Sequence, residues 1–204
     1  MRIILGIGNP GQEYALTRHN VGWLVVEALA GASEGDWRET SGLYCEKLVA
    51  FGGAPCLLVK PLTYVNRTGE AAVALCERLN ASPADFLILL DDVHLPVGAL
   101  RLRQGGSSGG HNGMRSLEFS LGTQHVPRLR IGIGASLGSG ALITYVLSPF
   151  TPAEQPVIRE TVRAAAVIGE AFGRGGYAEA GTAYSQWKAQ TDSESSEERS
   201  TKAS

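Results

Sequence analysis

The chain has 204 residues, 44% of them hydrophobic and 19% charged, with a formal net charge of −2. That length and apolar content suit one compact domain with a sizeable core, and the near-neutral balance gives no bulk-charge signal for a nucleic-acid partner. No apolar run reaches the roughly eighteen residues a membrane helix needs, and Met1-Arg2-Ile3-Ile4-Leu5 is too short for a signal peptide's apolar core, so a cytoplasmic protein is expected.

Residues 2 to 7, RIILGI, read as a buried strand ending at glycine. Behind it Gly6, Gly8 and Gly11 spell G-x-G-x-x-G. A dinucleotide fingerprint needs those glycines to open a helix directly, so that a pyrophosphate meets free amides and the helix dipole. Here the helical spacing of Val21, Leu24, Val25, Ala28 and Leu29 begins near Asn20, too late for that role. Pro10 removes an amide donor inside the motif, and Glu27, near the expected ribose position, lies within the helical pattern. The loop is read instead as a holder for Asn9 that delivers His19 to a helix start. There the helix dipole favours a neutral, proton-accepting imidazole, which suits a general base. Simple capping of the helix by His19 or Asn20 is the alternative.

Tyr44 to Phe51, the turn Gly52-Gly53-Ala54-Pro55, and Cys56 to Lys60 predict a hairpin. Thr68 is expected to cap a helix whose apolar side holds Ala72, Val73, Cys76 and Leu79. FLILLDD, residues 86 to 92, is a strand covered on both faces that ends in carboxylates. Leu100 and Leu102 alternate with Arg101 and Arg103, so a strand aims both arginines to one side. A loop, QGGSSGGHNG, leads to a helix with Met114, Leu117 and Leu121 on one face, and RLRIGIG supplies a further strand. Thr151, Pro152 and Glu154 predict a capping box opening a helix through Ile158, Val162, Ala165 and Phe172. Residues 191–204 hold no large apolar side chain and are expected to be a disordered tail behind a catalytic domain spanning 1–190.

Strands interleaved with helices predict a single-domain α/β fold, a twisted, mostly parallel (mixed) sheet with helices on both faces. Ligands gather beyond the carboxyl ends of parallel strands in such sheets, where Asn9, Asn66 and Asp91 fall. Cys45, Cys56 and Cys76 fall in or beside apolar runs, lack the paired spacing of a zinc site and read as buried reduced thiols. The tail carries four acids against two bases, which leaves a neutral body. Between Leu95 and Ala135, however, Arg101, Arg103, Arg115, Arg128 and Arg130 face one acid, Glu118, forming either a solvated face or a basic patch.

NPGQEYALTRHNVG, PLTYVNRTG, DDVHLPVGALRLR, GGSSGGHNGMRS and RLRIGIG, in this order, closely resemble the bacterial peptidyl-tRNA hydrolases over about residues 1 to 187. The resemblance implies a catalytic histidine at His19, a histidine-orienting aspartate at Asp91, and substrate-positioning asparagines at Asn9, Asn66 and Asn112. It implies tRNA acceptor-arm contacts at Arg103 and Arg130, and substrate contacts at Tyr14 and Tyr64 within the quoted motifs. His94 and Val65 depart from the family's frequent residues. The implied partner is peptidyl-tRNA, met at its acceptor arm and 3′ end by a monomer that needs no cofactor and no metal.

The chemistry built from these residues agrees. The substrate is an activated ester between a peptide carboxyl and a ribose hydroxyl, and a positioned water suffices to cleave it. His19 takes the water's proton, and Asp91 holds the ring's other nitrogen. Asn9, or backbone amides of the glycine loops, steadies the oxyanion. Asn66 and Asn112 pair with a peptide unit and disfavour a free ammonium, or are ordinary loop formers. His111 lines the same cleft or supports its loop. A serine hydrolase built on Ser107 or Ser108 is disfavoured because Asp91 precedes both, and a metal hydrolase using His19, Asp91 and His111 lacks a ligand motif. A catalytically silent RNA-binding relative is the rival from another class.

Overall fold

The apolar runs of the sequence become the middle of one seven-stranded sheet. The structure, a computed structural model, describes residues 1–31, 33, 35–134 and 141–202, with side chains described up to residue 193. The strands are β1 (Arg2–Gly6), β2 (Arg38–Thr40), β3 (Tyr44–Phe51), β4 (Ala54–Pro61), β5 (Phe86–Asp92), β6 (Leu100–Arg103) and β7 (Arg128–Gly132), in the spatial order β2-β3-β4-β1-β5-β7-β6. The four central strands, β4, β1, β5 and β7, are parallel. Antiparallel pairing extends one edge through β3 and β2 and the other through β6, so the sheet is mixed.

The helices are α1 (Val21–Ala30), α2 (Thr68–Leu79), α3 (Asn112–Leu121), α4 (Leu142–Val146), α5 (Gln155–Gly175) and α6 (Tyr177–Lys202). Side chains alternate across a strand, so each apolar run feeds two cores. Ile4, Leu87, Leu89, Leu129 and Ile131 meet Val21 and Val25 of α1 and Ile168 and Phe172 of α5. Ile3, Leu5, Ile88 and Leu90 meet Ala72 and Leu75 of α2 and Met114 and Leu117 of α3. The same parity directs Asp91 toward the α1 layer and Asp92 toward the α3 layer.

Several local expectations shift. In α1 the buried stripe is Val21, Gly22, Val25, Val26, Leu29 and Ala30, and Ala28 is exposed. Thr68 does not cap α2; it is its first residue, and its hydroxyl donates to the Val65 carbonyl. The helical face of α2 that is fully buried holds Ala71, Ala72 and Leu75, with Val73, Cys76 and Leu79 only half-buried. Thr151 and Glu154 do exchange hydrogen bonds, but α5 starts only at Gln155, because the box closes a turn ahead of the helix and Pro156 takes the first-turn place. The segment 191–204, expected to be disordered, continues α6 as far as Lys202, with the Thr191 and Ser193 hydroxyls bonding back to Trp187 and Ala189 carbonyls. Composition argues from the absence of a core face, yet serine and glutamate tolerate extension of an existing helix, whose costly nucleus is already formed. Residues 203 and 204 lie outside the described residues.

The G-x-G-x-x-G loop leaves β1, turns through Gln12–Tyr14 and Arg18–Asn20, and only then enters α1. Gly22 then lets α1 settle on the sheet. A Cβ there would lie 2.5 Å from the Leu89 carbonyl oxygen of β5 and 2.8 Å from that of Ile7. A Cβ on Gly6 would likewise meet the Gly22 carbonyl at 2.5 Å. This close approach brings the turn ahead of α1 beside the end of β5. We expect Gly22→Ala to destabilise the fold by about 1–3 kcal/mol, the usual cost of overpacking, with a matching loss of activity. Urea unfolding and an activity assay on the same preparation check this.

Candidate active site

His19 lies in the Arg18–Asn20 turn immediately ahead of α1, and Asp91 is the penultimate residue of β5. They are 72 positions apart in the chain, and His19 Nδ1 lies 2.7 Å from Asp91 Oδ1. His111 approaches the same oxygen from the opposite layer, with its Nε2 at 2.9 Å. The two imidazole centroids are 5.2 Å apart and tilted by 46°.

His111 is also the N-cap of α3, where its Nδ1 accepts from the backbone N–H groups of Gly113 and Met114. A ring nitrogen that accepts carries no proton, so the His111 proton sits on Nε2 and is donated to Asp91. In neutral His19 the Nδ1–H donates to Asp91 and leaves the Nε2 lone pair for the cleft. Asp91 is 2% exposed. Burial by itself would raise its pKa, but the interactions with His111 and His19 outweigh this and hold the carboxyl well below the usual carboxylate range. For His19, burial favours the neutral ring, yet the charge and hydrogen bond of Asp91 prevail and raise its pKa above 6.5. The helix-dipole argument from sequence therefore has the wrong net sign: a buried carboxylate at 2.7 Å exceeds a partial charge at a helix end.

His19, Asp91, His111, Asn112 and Arg130 line one cavity of about 190 Å³. Asp92, His94 and the apolar residues Leu142, Ile143 and Val146 of α4 complete its walls. Asn9, expected from sequence to serve the oxyanion, is 8% exposed and is not among the residues that line this cavity. Its Oδ1 accepts from the Val65 N–H at 3.1 Å, and its backbone is bridged on both sides by the Asn20 carboxamide, so Asn20 ties the loop instead of capping α1. With that oxygen engaged, the Asn9 amide nitrogen is the group left to donate. Asn66 and Tyr64 are exposed in and beside the turn Val65–Arg67, away from the lining of the cavity. Tyr14 is half-buried and its carbonyl accepts from the Thr17 hydroxyl, also off the lining.

The arginine cluster divides. Arg101 and Arg103 are exposed on edge strand β6, as the alternation predicts. Arg115 is exposed and donates to Asn112 Oδ1 at 2.6 Å. Arg128 is 0% exposed, bound to Glu118 and to the carbonyls of Gly106, Ser107, Gln124 and Val126. Arg130 pairs with Asp92 at 3.1 Å and donates to the Ser107 carbonyl at 2.8 Å. The β7 arginines thus brace the glycine loop that presents His111 and Asn112. Ser107 and Ser108 sit in that loop, behind the edge strand and not behind a core strand, so no nucleophile elbow forms.

His19, Asp91 and His111 have their ligand atoms within 4.8 Å of one another. Metal binding at His111 Nε2 would need its proton moved to Nδ1, where two N–H donors already point, which disfavours His111 as a ligand.

Comparison with known proteins shows the family. The family model described as peptidyl-tRNA hydrolase matches residues 3–193. The chain belongs to the peptidyl-tRNA hydrolase family. It is 47% identical over 164 residues to the peptidyl-tRNA hydrolase of Synechocystis sp., covering 79% of this chain and 84% of that protein. Identity to the Listeria monocytogenes peptidyl-tRNA hydrolase is 42% over 188 residues, 91% of this chain and 100% of the relative. The crystal structure of peptidyl-tRNA hydrolase from Acinetobacter baumannii superposes with a TM-score of 0.84 at 30% identity, over 90% of this chain and 93% of that one. The peptidyl-tRNA hydrolase fold here is therefore carried by the whole single sheet, and no described helix is long and apolar enough to cross a membrane.

Sequence reasoning did not find Arg18, Asp92 or the α4 wall as parts of the site. Arg18 sat in plain view beside His19, and its signal was a charge placed within a segment that leads into a buried helix. With His19 taken as the base, a pH dependence of activity is expected from its contact with Asp91. Because the carboxylate raises the His19 pKa, the neutral ring is lost as pH falls through a value above 6.5, and activity should fall with it. Asp91→Asn should move that acid limb to lower pH and reduce kcat by roughly 10² to 10⁴-fold, the usual contribution of a well-placed base. The pH profile of kcat/KM for both proteins tests this, and an unmoved limb would show that Asp91 does not set the ring's charge.

Proposed function

We propose that the protein hydrolyses the ester joining a peptide, or any N-blocked aminoacyl group, to the 3′-terminal ribose of tRNA, with His19 as general base. The observation that carries this reading is the buried Asp91 oxygen bound to His19 Nδ1, which leaves Nε2 turned toward the cavity. Water attacks the ester carbonyl carbon as its proton passes to His19 Nε2. The imidazolium that forms is stabilised by Asp91, and the proton then leaves with the ribose oxygen, releasing tRNA and a free carboxylic acid. The Asn9 amide nitrogen is the candidate donor to the tetrahedral oxyanion, its oxygen being held by the Val65 N–H.

Asn112 is the candidate for discrimination against free aminoacyl-tRNA. Its Oδ1 is occupied by Arg115, so it presents N–H donors to the cleft. An acyl carbonyl accepts from such a group, whereas an ammonium facing it is left unpaired. Asn66, exposed beside the Asn9-bound Val65 amide, is the second candidate for the peptide. Arg101 and Arg103 offer exposed charge for phosphates of the acceptor arm, which gives salt-dependent affinity with little sequence preference. Arg130 is more constrained, held by Asp92 and Ser107, and at 11% side-chain exposure it reaches RNA only at the cavity mouth.

Incubation with N-acetylaminoacyl-tRNA and with free aminoacyl-tRNA tests the proposal. We expect selective cleavage of the former, unaffected by a chelator, and a fall of roughly 10² to 10⁴-fold in His19→Ala. Binding of the RNA without cleavage by the unaltered protein would favour a silent RNA-binding relative. Arg103→Ala should weaken binding and reduce the salt slope by about one phosphate contact, leaving the single-turnover rate at saturation unchanged.

A further inference from the structure

We propose that Arg18 is a positioning residue that clamps the apolar wall of the cleft over His19. The residue preceding His19 is 4% exposed, an unusual place for an arginine. Its guanidinium reaches across the chain to one segment. Nη1 donates to Ser148 Oγ at 2.8 Å and to the Pro149 carbonyl, and Nη2 pairs with Glu154 at 2.6 Å. The guanidinium carbon Cζ lies over the ring of Tyr145, 4.3 Å from its centroid, and 5.2 Å from that of Phe150. The backbone reinforces the join: the Arg18 N–H donates to the Ser148 carbonyl at 3.0 Å, and Thr17 forms a β-bridge with Pro149.

The clamped segment follows directly on α4, whose Leu142, Ile143 and Val146 form the apolar side of the cavity that His19 opens into. Tyr145, under the Arg18 guanidinium, also ties α4 to the sheet by donating to the Ile133 carbonyl at 2.6 Å. Chain neighbours thus divide two tasks. His19 faces Asp91, and Arg18 faces away from it and holds the surface that confronts the bound acyl group. Arginine alone supplies two terminal N–H groups spread to separate partners, Ser148 and Pro149 on one side and Glu154 on the other, together with a fixed charge over Tyr145. A wall that packs on the substrate in the ground and transition states alike contributes uniform binding, which is read in KM and not in kcat.

This inference rests on the proposed esterase activity for its kinetic part only. Arg18→Lys keeps the charge and loses the fork. We expect KM for N-acetylaminoacyl-tRNA to rise about tenfold with kcat within about twofold and the acid limb of the pH profile unmoved. Hydrogen exchange, which needs no substrate, should show the amides of residues 145–154 exchanging about tenfold faster, with those of β5 unchanged. Should Arg18→Lys fail to fold, Glu154→Gln, which removes the charged partner from a partly exposed position, should give the same signs at smaller size. A fall in kcat with a shifted acid limb and unchanged KM would place Arg18 in control of the base and overturn the proposal. So would kinetics and exchange indistinguishable from the unaltered protein. If neither protein cleaves the ester, the functional reading fails and the exchange data still decide the clamp.

Discussion

One carboxylate oxygen, Oδ1 of Asp91, accepts hydrogen bonds from two imidazoles that arrive from opposite layers of the molecule. A charge buried to this degree is costly unless it is hydrogen-bonded, and here the satisfying donors are the site itself. His19 reaches the oxygen only because α1 lies close enough to the sheet for Gly22 to touch the Leu89 carbonyl. His111 reaches it only because the glycine loop is braced from β7 and α3 starts at the right height. The contact therefore registers two helices against one strand, and it sets the charge preference of the His19 ring in the same stroke.

Arginine does much of the internal carpentry. Arg128 gathers the carbonyls of a loop that has few side chains of its own, and Arg130 joins that loop to Asp92. Arg18 performs the corresponding task for the segment after α4. A glycine-rich loop gains close backbone approach at the expense of conformational entropy. Fixed guanidinium forks offset that by giving its carbonyls charged donors in a set geometry. Burial without paired acids would be prohibitive for these groups, and Glu118, Asp92 and Glu154 supply them.

Much of this was legible in the sequence. Continuous apolar runs at RIILG and FLILLDD marked strands covered on both faces, and the two-residue alternation at Leu100 to Arg103 placed its arginines outside, because periodicity reports burial directly. His19 and Asp91 were readable as a pair only through the family resemblance, since nothing local relates positions 72 apart. Other features were not legible. Five arginines in a short stretch read as one surface, whereas the glycine loop and Glu118 of α3 cover Arg128, although it pairs across the strands with exposed Arg103 on the same face. The role of His111 depends on which nitrogen faces the helix amides, a matter of ring orientation that composition does not encode. The sign of the His19 shift needed a distance to Asp91, and the extent of α6 needed knowledge that a helix was already under way.

The order in which the centre is completed has a meaning for the protein's own birth. Its parts are spread from residue 9 to residue 154, and the β7 strand that braces the glycine loop is translated after His19, Asp91 and His111. Every chain under synthesis is itself a peptide esterified to tRNA. The cluster is joined only once residue 154 has been made, so it is among the last features of the chain to assemble.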